Sequence, residues 1–273
     1  MLVEVGQRLR GTARKDDHVI RMGGEAFLVI CQTGDLRAAL QAALDHAIPE
    51  ITPATEASLL QQAGLVVSIS EADASELRQL APTTELVVAP KAVEPQPLPT
   101  TAGDRLLFVG SNNSFNVEGL AWFLREVWPL IRAARPDAAF DICGSIDRAI
   151  TERPAGVSFH GAVPDLTASY AGATVVVVPL RNATGLNIKL VDAAARGRAI
   201  VTTPATLAGA PFLRGAVAAE ASPAGFAAAV LHLLEDPAAA AEAGRRALAA
   251  VRERLSPAAS YGAVVARLRA APA

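Results

Sequence analysis

The sequence predicts an α/β fold, a doubly wound parallel sheet, with a small α+β remnant at the N-terminus. Apolar strands alternate with helical patterns between Arg105 and Thr203, which is typical of parallel sheets covered by helices. Four consecutive valines, Val175–Val178, indicate a strand buried on both faces. Gly197 follows a helical pattern at the position where a left-handed glycine ends a helix. Ligands of such a sheet are expected at the carboxyl ends of its strands.

Residues 1–48 predict the α+β segment. A helix begins close to Met1, and the strands His18–Met22 and Phe27–Cys31 flank Gly23-Gly24 as in a hairpin. An Ala- and Leu-rich helix is predicted at Asp35–Ala47. A segment of this size makes a poor hydrophobic core alone.

Residues 49–100 lead into the main domain. They predict a helix from Glu56, a strand at Leu65–Ser70, a helix at Ala72–Leu80 and a strand at Glu85–Ala89. The stretch Pro90–Pro99 holds four prolines and predicts an extended linker.

Residues 101–255 carry the regular strand and helix pattern. The strand Arg105–Gly110 leads through the polar turn Ser111–Ser114 into a helix whose apolar face continues to Ile131. A closing helix, Ser256–Leu268, lies in the C-terminal segment 256–273. Between them, strands are predicted at Ala138–Cys143, Val157–His160, Thr174–Pro179 and Ala199–Thr203, and helices at Asp165–Ala171 and Asn187–Arg196.

Composition and charge exclude several classes of protein. Hydrophobic residues make up 51% and charged residues 19% of the 273 residues, which is too apolar for a disordered chain. The formal net charge of −2 provides no basic field for nucleic acid. The uncharged runs Leu166–Leu180 and Ala199–Leu213 are shorter than the ~20 apolar residues of a transmembrane helix, which leaves peripheral membrane contact open.

The N-terminus and the cysteines indicate a cytoplasmic protein. Glu4 interrupts the stretch that would be apolar in a signal peptide. Cys31 and Cys143 each end an apolar run, as buried and reduced thiols do. The cysteines and histidines show no metal-ligand spacing, so we expect no metal site, and no oligomeric state is favoured.

Ordered motifs between residues 105 and 255 resemble the C-terminal, donor-binding domain of family 4-like glycosyltransferases, which have the GT-B fold. Residues 56–95 resemble the last part of that family's N-terminal domain, and the closing helix resembles the segment that crosses back to it. The motifs that carry the resemblance are Leu107-Phe-Val-Gly-Ser111, Phe159-His-Gly-Ala-Val-Pro-Asp165, Val176-Val-Val-Pro-Leu180, Gly185-Leu-Asn-Ile-Lys-Leu-Val-Asp192 and Ala195-Arg-Gly-Arg-Ala-Ile-Val201.

The resemblance implies a nucleoside-diphosphate sugar as donor and hexose transfer, as in the synthesis of cell-envelope polysaccharides, without a metal or other cofactor. The family places a pair of glutamates at positions that hold Thr184 and Asp192 here, and the second grips the ribose. The donor-binding residues that the resemblance implies are Gly110, Ser111, Asn112, Val163, Pro164, Thr184, Gly185, Leu186, Asn187, Lys189 and Asp192.

The chemistry of the donor agrees with these residues. Negative charge builds on the leaving diphosphate, and backbone N–H groups at a helix N-terminus together with a nearby cation can stabilise it. Thr184–Asn187 lies at such an N-terminus, followed by Lys189. The alternatives are a solvated helix lysine for Lys189, an ordinary strand-exit turn for Ala162–Pro164, and turn residues for Asn112 and Asn113.

The acceptor side of the predicted enzyme is less complete. The family's first domain binds the acceptor, and this chain resembles only about its last 45 residues. No residue in 105–255 stands out as a base or nucleophile, and His160 is equally a satisfied turn histidine. The leading hypothesis is therefore a glycosyltransferase that is truncated on its acceptor side and is weakly active or inactive.

The first 48 residues resemble the second half of a degenerate GGDEF (diguanylate cyclase) domain through Gly23-Gly-Glu-Ala-Phe27. Ala26 replaces a metal-binding acid of that family, so we expect no cyclase activity. Arg14 and Asp17 have the spacing of the family's inhibitory site, which binds cyclic di-GMP, although charge runs of this kind are also typical of solvated turns.

The two partial resemblances leave alternative functions open. A second hypothesis is a cyclic di-GMP-binding or nucleotide-binding pseudoenzyme, and a third is a fragment without function. Such a combination indicates a gene fusion, a truncated reading frame or an assembly join.

Overall fold

The computed structural model describes two compact units. The first combines described residues up to Ala92 with those from Pro257 onward, and the second is Val93–Ser256. The residues that the structure describes are 18–22, 27–31, 53–61, 63–69, 71–99, 102–183 and 185–270.

The first unit contains a four-stranded sheet in the order β1-β2-β3-β4. Strands β1 and β2 pair antiparallel, with Met22 opposite Phe27, which confirms the predicted hairpin. Strand β2 also pairs antiparallel with β3, which pairs parallel with β4, so the hairpin and the later strands share one sheet. The elements are β1 (His18–Met22), β2 (Phe27–Cys31), α1 (Pro53–Gln61), β3 (Leu65–Ser68), α2 (Glu71–Leu80), β4 (Leu86–Val88) and the C-terminal helix Pro257–Ala270.

A small apolar core stabilises this first unit. The buried side chains of Leu65, Val67 and Ala89 pack with Val264 of the C-terminal helix. The Tyr261 hydroxyl accepts a hydrogen bond of 3.1 Å from the backbone N–H of Ala92. The C-terminal helix is therefore part of the same unit as the four-stranded sheet, although it is distant from it in sequence.

The second unit is a six-stranded sheet in which every neighbouring pair is parallel, in the order β10-β9-β8-β5-β6-β7. It has the predicted α/β, Rossmann-like fold. Its strands are β5 (Arg105–Val109), β6 (Ala139–Cys143), β7 (Val157–Gly161), β8 (Val175–Val178), β9 (Ala199–Thr202) and β10 (Ala218–Ala219). Its helices are α3 (Ser114–Trp122), α4 (Trp128–Ala134), α5 (Thr167–Gly172), α6 (Ile188–Ala195), α7 (Pro204–Ala208), α8 (Pro223–Glu235) and α9 (Pro237–Leu255).

Helices cover both faces of this sheet, and the four valines of β8 show why. Val175 and Val177 belong to one buried cluster, with α3, α4 and α8, whereas Val176 and Val178 belong to the other, with α5 and α6. Successive side chains of a strand point to opposite faces, so an unbroken valine run satisfies two cores at once. Gly197 has a φ of 67° and ends α6 as predicted.

The predicted helix after β5 is interrupted. A π-helical turn, Phe123–Val127, separates α3 from α4, and the Trp128 N–H donates to the Phe123 carbonyl. Pro129 follows directly and has no N–H to donate to the Arg125 carbonyl, so the regular hydrogen-bond pattern of an α-helix is broken there. The predicted helix is present from Ser114 to Ala134, with this π-helical turn inside it.

The proline-rich segment forms neither a helix nor a strand, and its residues from Val93 to Pro99 belong to the second unit. Arg198 is 2% exposed, and its guanidinium donates to the carbonyls of Leu98 at 2.5 Å and Pro99 at 2.8 Å. The Gln96 N–H also donates to the Ala195 carbonyl at 3.0 Å. Since a buried guanidinium must be hydrogen-bonded, Arg198 fixes the end of this segment to the sheet domain.

Candidate functional site

The strand order places the candidate site at the carboxyl ends of β5 and β8. The chain runs from β5 to β6 and β7 in one direction, then returns to β8 on the other side of β5 and continues to β9 and β10. The order therefore reverses between β5 and β8, and ligands of open parallel sheets bind at such a switch point. Two loops begin at this edge of the sheet. They are the β5 loop (Gly110–Asn113) and the β8 loop (Arg181–Asn187).

The start of the β5 loop is held by backbone contacts with the end of β6. The Gly110 N–H donates to the Cys143 carbonyl at 2.8 Å, and the Gly110 carbonyl accepts from Ile146 at 3.3 Å. Gly144 has a φ of 111°, and a Cβ on it would lie 2.8 Å from the Gly110 carbonyl carbon. Only glycine at residue 144 allows this approach. Its role was not apparent from the sequence, where it follows a strand without a motif.

Side-chain amides fix the rest of the β5 loop. Asn113 caps α3, since its Oδ1 accepts from the Asn116 N–H at 2.9 Å. Asn116 is buried and donates through Nδ2 to the Ser111 carbonyl at 2.8 Å. The Asn112 N–H donates to the Ser145 Oγ at 3.2 Å, so this amide already has a protein partner. Asn116 and Ser145 therefore support Ser111 and Asn112, two of the predicted donor-binding residues.

The β8 loop leads into α6. Gly185 has a φ of 62°, a left-handed conformation that favours glycine. Leu186 and Asn187 are half-buried, and Asn187 caps α6 by accepting at Oδ1 from the Leu190 N–H at 3.2 Å. Thr184 lies outside the described residues. Of the predicted loop residues, Gly185, Leu186 and Asn187 are therefore placed at a helix N-terminus.

Lys189 is a half-buried cation in the first turn of α6. Burial lowers the pKa of its ammonium from the ordinary 10.5, and the nearby Asp192 carboxylate partly opposes that shift. The N-terminal end of a helix is itself electropositive, so a lysine there is electrostatically unfavourable unless an anion joins it. This position suits a lysine that binds a negatively charged ligand.

Asp192 lies among further polar groups of α5 and α6. Burial raises the pKa of the Tyr170 hydroxyl, and the Asp192 carboxylate raises it further. Arg196 donates to the Asp192 carbonyl at 3.1 Å, and its guanidinium lies 4.5 Å from the centre of the Tyr170 ring. Tyr170 belongs to no motif in the sequence, and only the fold brings it to Asp192, whereas Arg196 lies one helical turn after Asp192 in the chain.

The turn that follows β7 lies farther along the same edge of the sheet. Val163 is half-buried and Pro164 is exposed. Strand β7 is two strands from β5, roughly 10 Å at the usual strand spacing. Hydrogen bonds from the Thr167 hydroxyl and backbone N–H hold the pKa of Asp165 below its ordinary value. An extended ligand, rather than a compact one, would be needed to contact both Lys189 and this turn.

His160 lies in β7 and is paired with an acid. Its Nε2 is 2.7 Å from Oδ1 of Asp141, whose Oδ2 accepts from the Arg105 guanidinium at 2.6 Å. The histidine thus belongs to a charged cluster on the sheet face, and this agrees with the alternative of a satisfied histidine.

The N-terminal predictions lie outside the described residues. This applies to Arg14, Asp17 and the Gly23–Ala26 turn, so cyclic di-GMP binding stays a prediction from sequence. Among the described residues, no group of three or more His, Cys, Asp and Glu side chains could hold a metal ion. In the same part of the chain, no helix has the length and apolarity needed to cross a membrane.

Comparison with known proteins defines the class to which the site belongs. Residues 103–236 match the family model described as glycosyl transferases group 1. This segment of the chain is therefore similar to a glycosyltransferase group 1 domain. The match begins at residue 103, so the resemblance of the first 48 residues to a GGDEF domain receives no support from it. No curated protein matches the chain in sequence.

Solved structures share the fold. S. aureus TarM is 15% identical with a TM-score of 0.62, and the alignment covers 79% of this chain and 46% of TarM. Sucrose-phosphate synthase from Thermosynechococcus elongatus is 18% identical with a TM-score of 0.57, covering 86% and 64%. Anabaena HepE, solved with UDP and glucose, is 14% identical with a TM-score of 0.57, covering 87% and 67%. The chain thus spans less than half the length of TarM.

Proposed function

We propose that this chain binds a nucleoside-diphosphate sugar and forms the donor side of a metal-independent glycosyltransferase. The observation that carries the proposal is Lys189, a half-buried cation at a helix N-terminus beside the switch point. The similarity of residues 103–236 to a group 1 domain supports the same function. The structures of TarM and HepE contain UDP, which makes uridine nucleotides the first to be tested.

The proposed donor lies along the carboxyl edge of the sheet. The diphosphate contacts the N–H groups of the Gly185–Asn187 stretch and the Lys189 ammonium, with the β5 loop as the opposite wall. The ribose binds Asp192, whose side chain is one methylene group shorter than that of a glutamate. The base lies against the Val163–Pro164 turn, which follows a strand two positions from β5, roughly 10 Å along the same edge of the sheet.

In the reaction, the bond between the anomeric carbon and the diphosphate oxygen breaks while the acceptor oxygen bonds to that carbon. The acceptor hydroxyl gives its proton to the leaving diphosphate or to water, and negative charge builds on the diphosphate as its bond to carbon breaks. Helix N–H groups and an ammonium that are already in place stabilise this charge without reorganisation. We propose hexose transfer in the cytoplasm for polysaccharide synthesis, with slow or no transfer by this chain alone, because the acceptor must be held near the anomeric carbon.

The binding half of the proposal is tested by calorimetry with UDP, GDP and ADP. We expect at least one to bind, and Lys189→Met to weaken it by about 10- to 100-fold, the value of a charged hydrogen bond of ~1.5–3 kcal/mol. Asp192→Ala should weaken it less, since a hydroxyl contact is neutral on one side. Arg252→Ala, on the exposed surface of α9, is the control and should bind as the unaltered chain does. Failure of all three nucleotides to bind would contradict the proposal.

The transfer half needs a separate assay. Release of sugar from a nucleotide-sugar donor, with and without simple sugar acceptors, should be slow compared with usual kcat values of about 1–1000 per second. Rapid transfer would show that residues 1–100 supply an acceptor surface.

A further inference from the structure

The β8 loop rests on a segment that follows it by about twenty residues. This segment, Thr202–Gly209, comprises the last residue of β9, helix α7 and the glycine that ends α7. It includes no residue that the proposed function places against the donor. Its hydrogen bonds to β8 and to the residues directly after β8 are nevertheless buried.

Three buried threonines of this segment donate to the last carbonyls before the β8 loop. Thr202 Oγ1 donates to the Val178 carbonyl at 2.9 Å. Thr203 Oγ1 and Thr206 Oγ1 both donate to the Leu180 carbonyl, the latter at 3.1 Å. The three threonines are 0–4% exposed. Two hydroxyls on one buried carbonyl fix both its position and its direction, because each lone pair has its own donor.

Thr203 and Thr206 also hold each other. The Thr203 Oγ1 accepts from the Thr206 N–H at 3.2 Å and so caps α7, and the two hydroxyl oxygens are 3.1 Å apart. The conformation of α7 is therefore tied to the same carbonyl that begins the β8 loop.

Gly209 supports the other end of the loop through direct backbone contact. A Cβ built on Gly209 would overlap the Gly185 carbonyl oxygen and lie 2.8 Å from the carbonyl carbon. It would also lie 3.5 Å from the Leu186 nitrogen. Gly185 itself is held at a positive φ of 62°. A methyl group on residue 209 must displace this peptide, since backbone atoms cannot rotate away as a flexible side chain can.

We infer that Thr203, Thr206 and Gly209 are positioning residues, which set the backbone of Gly185–Asn187 so that its N–H groups face the diphosphate. The inference rests on the proposed donor site and adds residues that do not touch the donor. Threonine hydroxyls fix where the loop leaves β8, and Gly209 fixes the peptide before Leu186. Small displacements of such donors weaken binding of an anion, because a charged hydrogen bond depends on alignment.

The test uses two variants with matched controls in the full chain. Gly209→Ala adds the methyl group that meets Gly185, whereas Gly172→Ala adds one whose nearest contact is Arg105 Cδ at 3.8 Å. Thr206→Val removes a hydroxyl bound to Leu180, whereas Thr174→Val removes a buried hydroxyl that has no hydrogen-bond partner among the described residues. Thr174 directly precedes β8, at the end of that strand away from the β8 loop.

The first measurement is amide hydrogen exchange without nucleotide. Gly209→Ala should speed exchange of the 185–190 amides relative to Gly172→Ala, while amides of the β5 loop and α9 exchange as before. This readout does not need the donor, so it separates failure of the inference from failure of the proposed function. Unchanged exchange at 185–190 in Gly209→Ala would overturn the inference.

The second measurement is affinity for the nucleoside diphosphate that the unaltered chain binds best. Gly209→Ala should weaken it by about tenfold or more and Thr206→Val by about threefold or more, and both controls should match the unaltered chain. The temperature of unfolding, recorded for every variant, identifies one that is merely unfolded. If Gly209→Ala fails to fold, Thr206→Val decides the matter: unaltered affinity would overturn the inference, and weaker affinity with a folded chain would support it.

Discussion

The two loops at the switch point are held in different ways. The β5 loop is fixed by two amides of its own sequence, Asn113 and Asn116, and by Gly144 and Ser145, which follow β6. The β8 loop is fixed by Thr203, Thr206 and Gly209, which follow β9. The support of the β5 loop is therefore partly local in sequence, whereas these supports of the β8 loop all lie about twenty residues later in the chain. The β8 loop should therefore respond to substitutions that lie outside the site.

The loops also differ in charge. The described β5 loop and the first turn of α3 hold only uncharged residues, from Ser111 to Asn116. The β8 loop leads to Lys189, a half-buried cation. We therefore assign most of the binding energy for an anion to the β8 side, with the β5 loop as a shape-defining wall.

The largest expected effect on stability concerns the support of the β5 loop. Gly144 has φ 111° and ψ 174°, a region that only glycine occupies readily. Gly144→Ala should lower the free energy of unfolding by about 3 kcal/mol, since it adds backbone strain and a clash with Gly110. Chemical denaturation measures this loss, with Gly172→Ala as the control. A loss below about 1 kcal/mol would show that the β5 and β6 ends are less tightly joined than described.

A smaller loss of stability is expected at Asn116, which supports the shape of the β5 loop and carries no charge. Asn116→Ala removes the buried amide that holds Ser111 and should cost about 1–2 kcal/mol of stability. Nucleotide affinity should fall by less than about threefold, because no charge is lost. If calorimetry shows a loss as large as that of Lys189→Met, the two loops contribute equally and the comparison fails.

The smallest effect is a pH dependence. Burial lowers the pKa of Lys189 below 10.5, so the unfolded chain keeps this proton to higher pH than the folded chain does. Where the unfolded state binds more protons, stability rises with pH. The unaltered chain, without nucleotide, should therefore gain stability relative to Lys189→Met as the pH rises from the lowered pKa towards 10.5. Nucleotide affinity should fall over the same range because the ammonium is lost. An identical pH profile for the two chains would contradict this.

The sequence predicts those features that depend on residues close together in the chain. Alternating patterns and the run Val175–Val178 predict the parallel sheet, and Asn187 lies where a helix cap is expected. No element is predicted for residues 204–255, where α7, α8 and α9 are found. The contact of Gly209 with Gly185 joins residues that belong to different strand–helix units, so no local pattern contains it.

Arg198 and Pro129 are two residues whose structural roles the sequence analysis did not predict. Arginine is usually exposed, and only the fold shows that Arg198 is buried against the Leu98 and Pro99 carbonyls. Pro129, by contrast, is a local signal for a helix break, and the apolar periodicity around it hides that signal.

The proposed function requires a nucleoside diphosphate to bind between β5 and β8, with its diphosphate at the start of α6. A crystal structure of the chain with the best-binding nucleotide is the decisive test. We expect diphosphate oxygens within about 3 Å of the Lys189 ammonium and of N–H groups in the Gly185–Asn187 stretch, with the base near Val163 and Pro164. A nucleotide bound at another edge of the sheet, or on the first unit, would contradict it.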